Sequence, residues 1–311
     1  VSTSDARQGR RTRRRVLSTL VALLVLAAAA YVVLHGRTKQ PEAAGCKVLV
    51  DDSTLILTQS QAANAATIAA VAAARELPER AVAIALATAL QESRLDNLDH
   101  GDRDSLGLFQ QRPSQGWGTA RQILDPVYSS TAFYKSLVKI HGYQDLPLTV
   151  AAQKVQRSGY PEAYAQHEED ATLLAAALVG RKGSALSCTT GADREDSAGG
   201  APGSTAAVTA ELKREFGARV RPAAAGKPAV SVTVPAATAS GGTAAGTVQR
   251  GWQLAQWSVA HAPDLKLAEV WFGGVRWQAA QSGKGWQKVS AEDAKKAGAT
   301  DRGLVRITVA Q

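Results

Sequence analysis

Gln91-Glu92-Ser93-Arg94-Leu95 is followed after a short stretch by Gly101-Asp102-Arg103-Asp104-Ser105-Leu106-Gly107-Leu108-Phe109-Gln110-Gln111. The first segment closes a run of helical periodicity, so Glu92 sits at a helix end facing a polar, glycine-containing loop. A carboxylic acid held this way suits proton donation to a glycosidic oxygen. That step needs a carboxyl partly buried against apolar neighbours with few compensating cations. Leu90, Leu95 and the alanine-rich helix supply the apolar side, and Gly107-Leu108-Phe109 lets backbone approach a sugar. Arg94 and Arg103 offer the opposite outcome: either guanidinium paired with Glu92 holds it ionised and makes it a structural ion-pair partner.

The elements that must carry these residues are mostly helical. Ser60 to Glu76 is alanine-rich and stops before Leu77-Pro78. Pro78 suits a helix start, and Glu79 to about Ser93 repeats apolar residues at Val82, Leu86 and Leu90. Val127 to His141, Thr149 to Arg157 and Glu162 to Leu178 carry the same periodicity, each introduced by a proline. Upstream, Lys47 to Val50 and Leu55 to Thr58 read as a small hairpin. A mostly α domain over 46–188 is expected.

The formal charge of +9 suggests nucleic acid until it is located: six arginines and one aspartate in the first fifteen residues account for +5 of it. No nucleic-acid partner is expected of the rest. Val16 to Leu34 then runs without a charge, close to the ~20 residues that a helix needs to cross ~30 Å of hydrocarbon. The reading is a basic cytoplasmic tail over 1–15, one transmembrane helix over 16–34 and a juxtamembrane linker over 35–45, with the bulk of the chain outside the cell membrane. A cleaved signal peptide is the competing reading, since Ala27 to Ala30 supplies small residues. One span cannot line a pore, so transport is excluded for a monomer. In such a compartment Cys46 and Cys188, which bracket the motif, are expected to form a disulfide.

A flexible linker is expected over 189–205, rich in glycine, and an α+β module over 206–311. In the module, Ala206 to Phe216 and Val248 to His261 read as helices, Ala229 to Val234 and Leu304 to Val309 as strands, and Leu267 to Trp277 as a hairpin. A turn at Gly273-Gly274 sets Val270 opposite Trp277 and Trp271 opposite Arg276. Tryptophans 252, 257, 271, 277 and 286 fall here, either to stack on sugar rings or to form the core of a small domain. No metal and no cofactor are expected. Asp96, Asp99, Asp102 and Asp104 do not match a calcium loop, because Leu98, His100 and Arg103 fall where oxygen ligands are needed. The histidines have no zinc spacing.

Glu-Ser followed by Ser-Leu-Gly-Leu-Phe-Gln resembles the signature of the soluble lytic transglycosylase and goose-type lysozyme superfamily, and Gly101 to Gln110 is similar to the goose-type form. The likeness covers roughly Gln61 to Gly180. It implies a lysozyme-like fold for 46–188, hence a fold class of mainly α lysozyme-like domain preceded by one transmembrane helix and followed by a small α+β domain. It also implies that the chain cleaves the MurNAc-GlcNAc bond of peptidoglycan glycan strands, with Glu92 as the catalytic acid and Asp102 positioning water. Ser93, Ser105, Gln110 and Gln111 would line the glycan subsites. The family's Tyr-Asn-x-Gly stretch after Ala-Ala is absent from Ala151 to Gly159, where Gln153 or Gln156 stands in for it.

Two mechanisms stay open. An inverting hydrolase needs Asp102 to activate water, with carboxyl groups ~6.5 to 9.5 Å apart. A transglycosylase needs only Glu92, first as acid and then as base toward the sugar's own C6 hydroxyl. The alternative from another class is a non-catalytic envelope protein that keeps the groove as a glycan receptor or scaffold. Protein partners are not legible.

Overall fold

The structure is a computed structural model that describes residues 43–157, 161–190, 202–224, 231–235, 243–301 and 303–311. Strand β1 (Gly45–Val50) turns back as β2 (Ser53–Leu57). Thr58 then caps helix α1 (Gln59–Ala74). Its hydroxyl accepts from the Gln61 amide at 3.2 Å while the Gln61 side chain accepts from the Thr58 amide at 2.9 Å. This reciprocal pair satisfies two of the donors that a helix start leaves open.

Helix α2 (Glu79–Ser93) follows Pro78, as the sequence predicts. Both α1 and α2 bury residues on every side, and most of those residues are alanine. Without a single apolar stripe, such helices belong at the centre of a bundle. Around them lie α3 (Ala120–Ile123), α4 (Pro126–Leu137), α5 (Leu148–Gln156), a 3-10 segment (Pro161–His167) and α6 (Glu168–Leu178). Glu162 to Leu178 is therefore two elements where one helix was expected. Strand β3 (Leu186–Thr189) next returns to pair with β1.

The remainder comprises α7 (Thr205–Phe216), β4 (Ala223–Ala224), β5 (Ser231–Pro235), α8 (Ala244–Ala260), β6 (Leu267–Phe272), β7 (Val275–Gln278), β8 (Gln287–Lys288), α9 (Ala291–Lys296) and β9 (Leu304–Val309). Val270 pairs with Trp277 and Trp271 with Arg276, the register read from the glycine turn. Val270, Phe272, Trp277, Ile307 and Val309 form a buried face on which α8 lies. Gly251 in the middle of α8 meets the Phe272 ring, where a Cβ would lie 1.8 Å from Phe272 Cζ. Trp257, Trp271 and Trp277 are buried, and Trp252 packs edge-on against Phe272 and Trp286, so these rings belong to the core rather than to an open stacking platform.

The expected fold class is corrected. In place of a mainly α lysozyme-like domain behind a transmembrane helix and ahead of a small α+β domain, Ala43–Gln311 forms one compact α+β unit, about 50% helical. It contains two antiparallel sheets, a three-stranded one ordered β2-β1-β3 and a six-stranded one ordered β4-β5-β9-β6-β7-β8. Among the described residues no helix is long and apolar enough to cross a membrane, and the span expected at 16–34, with its basic tail, lies outside the described residues. The physical reason for the difference is that short strands such as β3 and β8 carry too few residues to leave an alternating pattern in the sequence.

Cys46 and Cys188 form the expected disulfide, directly opposite each other in the β1/β3 ladder and 142 positions apart. On its other edge β3 is met by side chains. Gln256 Oε1 accepts from the Leu186 amide at 2.8 Å, Trp286 Nε1 donates to Leu186 O at 2.8 Å, and Trp277 Nε1 donates to Cys188 O at 3.2 Å.

A second polar contact is buried between α1, α7 and α8. Glu215 is 1% exposed and accepts from Thr67 Oγ1 at 2.9 Å and from Trp257 Nε1 at 2.6 Å. Burial pushes its carboxyl up to about 8, against the pull of those two donors. Burial likewise pushes His261, beside the Trp257 ring, down to about 4.

Two predictions follow from these contacts. Reduction, or Cys46→Ser, is expected to cost about 2–5 kcal/mol in urea denaturation, because the closed loop is long. For pH, Glu215 favours the fold fully below its ordinary value of 4.5, and that contribution is lost as pH rises to about 8; His261 favours the fold above 6.5 and loses its contribution as pH falls through about 4. The two slopes oppose each other between pH 4.5 and 6.5, so the melting temperature should be level there and fall from 6.5 toward about 8, and Glu215→Gln should flatten that alkaline fall. A melt in which Glu215→Gln keeps the wild-type slope would refute this.

Candidate active site

Helix α2 stops because Arg94 and Leu95 both take left-handed backbone, at φ 57° and 67°. Their carbonyls are met from α1: Gln61 Nε2 donates to Arg94 O at 2.9 Å and Asn64 Nδ2 to Leu95 O at 2.8 Å. Carbonyls at a helix end otherwise lack partners. Leu95 is fully buried, so the turn is fixed by packing as well. Glu92 thus rides on the last turn of a helix whose end is held by a neighbour.

The loop after it is built as a second rigid piece. Leu106 and Gln111 exchange backbone hydrogen bonds at 2.9 Å in both directions, closing a tight turn over Gly107–Gln110. Gly107 has φ +74°, and a Cβ there would lie 2.8 Å from Ile123 O, so both backbone and space require glycine. Leu108 and Phe109 are fully buried, and the Phe109 ring stacks on Phe133 of α4 at 4.7 Å.

Two side chains lock this turn to the helices. Ser93 Oγ donates to Leu108 O at 2.8 Å, with Ala89 O also within 3.0 Å, and Gln156 Nε2 from α5 donates to Phe109 O at 2.8 Å. Successive carbonyls of the Gly-Leu-Phe-Gln turn are therefore clamped from α2 and α5. Tyr164, fully buried in the 3-10 segment, donates its hydroxyl to Glu92 Oε1 at 2.7 Å. Glu92 itself is half-buried. Arg94 and Arg103 are exposed, and among the described residues no ion pair reaches Glu92, so the ion-pair alternative is not realised there.

The remaining expected site residues divide by environment. Ser93, Ser105 and Gln111 are buried, and Gln111 Nε2 donates to Ser129 O at 3.2 Å. Gln110, half-buried at φ 45°, turns its amide back to His100 O and Gly107 O, each at 3.3 Å. Gln153 lies one turn before Gln156 on α5 and is half-buried. Asp102 is exposed, and no hydrogen bond joins its carboxylate to Glu92.

The acidic turn is stapled rather than open for a cation. Asp104 accepts from the Ser114 amide at 2.8 Å, the Ser114 hydroxyl at 3.0 Å and Arg112 Nε at 2.7 Å, which hold its carboxyl well below the usual carboxylate range. No group of His, Cys, Asp or Glu suited to a metal occurs among the described residues. On the other flank, Gln91 Oε1 lies 3.0 Å from Gln166 Nε2 and 3.1 Å from His167 Nε2. Burial pushes the His167 imidazole down, with Asp170 opposing and Arg94 adding to the shift.

Chemically, the arrangement presents one carboxyl with a single oxygen oriented by a buried phenol and the other without a hydrogen-bond partner among the described residues. Sequence reasoning missed Tyr164. Its only signal is a tyrosine shortly after 151–159, and nothing in the pattern places it against α2. Two clefts of the unit, about 310 and 430 Å³, lie away from Glu92.

Removing a clamp tests the build. Ser93→Ala is expected to cost about 1–3 kcal/mol in urea denaturation by leaving a buried carbonyl without its donor. An unchanged midpoint would show that the Leu108 contact contributes nothing. No protein-family model matches the chain, and no curated protein matches it significantly.

Proposed function

We infer that this protein cleaves glycosidic bonds in the glycan strands of peptidoglycan, with Glu92 as the proton donor. The observation that carries this is the 2.7 Å hydrogen bond from Tyr164 to Glu92 beside the clamped Gly-Leu-Phe-Gln turn. A general acid must be held in one orientation toward the leaving oxygen, and an oriented carboxyl on a fixed helix end meets that need. The resemblance of the Glu-Ser and Gly-Leu-Phe-Gln elements to lytic transglycosylases and goose-type lysozymes supports the same chemistry, and the disulfide supports a site of action outside the cytoplasm.

Within this reading, Ser93 and Gln156 position the turn, while Gln110, Gln153 and the turn's backbone meet the sugar. Asp102 is exposed, and the reading takes the mechanism that works with one carboxylate: Glu92 gives its proton to the leaving oxygen and then removes the proton of the C6 hydroxyl that closes the anhydro ring. The second reading is a glycan receptor, favoured by the absence of a Tyr-Asn-x-Gly stretch from 151–159.

Digestion of purified sacculi followed by mass analysis separates these. Wild-type protein is expected to release 1,6-anhydro products, Glu92→Gln to release none at an unchanged melting temperature, and Tyr164→Phe to release them about tenfold more slowly. Reducing ends would mark a hydrolase instead. Sacculus binding without products in the wild type would establish the receptor and overturn the enzymatic reading.

A further inference from the structure

A cleft of about 310 Å³ opens at the other end of α2, where Val82 lies ten residues before Glu92, roughly 15 Å along the helix axis. Its floor is apolar, from Ala69, Ala73, Val82 and Val179, and Arg219 and Arg250 stand in its wall. Its volume falls at the lower end of the range for small-molecule sites.

Two acids, Glu76 and Glu79, and two guanidinium groups, Arg219 and Arg250, line the cleft, and both acids are already paired. Glu76 pairs with Arg219, and Glu79 is held by Arg181 at 2.9 Å. Arg250 is left with neutral partners only: Nη2 donates to Arg219 O at 2.9 Å, Nη1 reaches Gln253 Oε1 at 3.4 Å, and the guanidinium lies 5.7 Å from the Phe216 ring centroid. Its Nε is buried with no hydrogen-bond partner, and no acid pairs with it among the described residues. A half-buried guanidinium beside a second one is costly to leave uncompensated, and both burial and the Arg219 charge act against its charged form.

We propose that this cleft binds a small amphipathic oxyanion, with a carboxylate or phosphate ester accepting hydrogen bonds from Arg250 and a short hydrocarbon body lying on the alanine and valine floor. Guanidinium and oxyanion form charge-assisted hydrogen bonds, and the floor excludes a fully hydrated inorganic ion as the best-fitting ligand. The site is separate from Glu92 and stands whether or not the chain cleaves glycans.

Isothermal titration of the full chain with hexanoate, hexyl phosphate and hexanol tests it. At least one anion is expected to bind, hexanol at least tenfold more weakly. The preferred anion identifies the headgroup. Arg250→Gln should weaken that binding at least tenfold. Because Arg250 also contacts Phe216, Ala73→Leu, which fills the floor without touching charge, is the second variant and should abolish binding, while Glu92→Gln should leave it unchanged. Equal binding of hexanol, no binding of either anion, or undiminished binding in Ala73→Leu would overturn the proposal.

Discussion

Strand β3 has backbone polar groups on two edges, and residues of β1, α8, β7 and the segment before β8 satisfy them. One edge is met by β1 and fastened by the disulfide. The other faces protein, so its amide and carbonyls would be buried without partners unless side chains supplied them. Gln256, Trp277 and Trp286 do so, and Gln256 also donates to Ala177 O at 2.7 Å at the end of α6. An indole that hydrogen-bonds to backbone and packs its ring on apolar neighbours joins two kinds of cohesion in one residue. That is why the helices around α1 and the six-stranded sheet belong to a single compact unit.

The same solution recurs at the Glu92 site on a smaller scale. Irregular backbone near a protein's centre has no ladder to pair with, and here Gln61, Asn64, Ser93 and Gln156 each meet one carbonyl. The result is a loop whose carbonyls are tied to α1, α2 and α5, with a carboxyl on its boundary. Asp104 secures the outer part of the loop in the same manner by capping the turn at Ser114.

Much of this order is legible in the chain. Pro78 with the Val82, Leu86 and Leu90 period sets α2 to the residue, and Gly273-Gly274 sets a hairpin register that the structure keeps. Glu92, the Gly-Leu-Phe-Gln turn and the pairing of the cysteines are likewise readable from residue type and spacing. What escapes is long-range: Tyr164 against Glu92 spans 72 positions and Gln256 against Leu186 spans 70. A side chain that reaches across the fold to one atom leaves no period in its own neighbourhood. Ser93 and Gln156 were legible as polar residues near the turn, but only the fold reveals that their partners are backbone carbonyls.

The contact between Gly251 and Phe272 has a consequence for how such a chain can change. A glycine in mid-helix gives up about 1 kcal/mol of helix propensity relative to alanine. It is tolerated here because the ring occupies the space a methyl group would need. Neither position can therefore drift alone: a larger residue at 251 requires a smaller one at 272. Diverged sequences with this architecture should show the two sites exchanging volume, a compensating pair that could reveal kinship after the loop motifs have been lost.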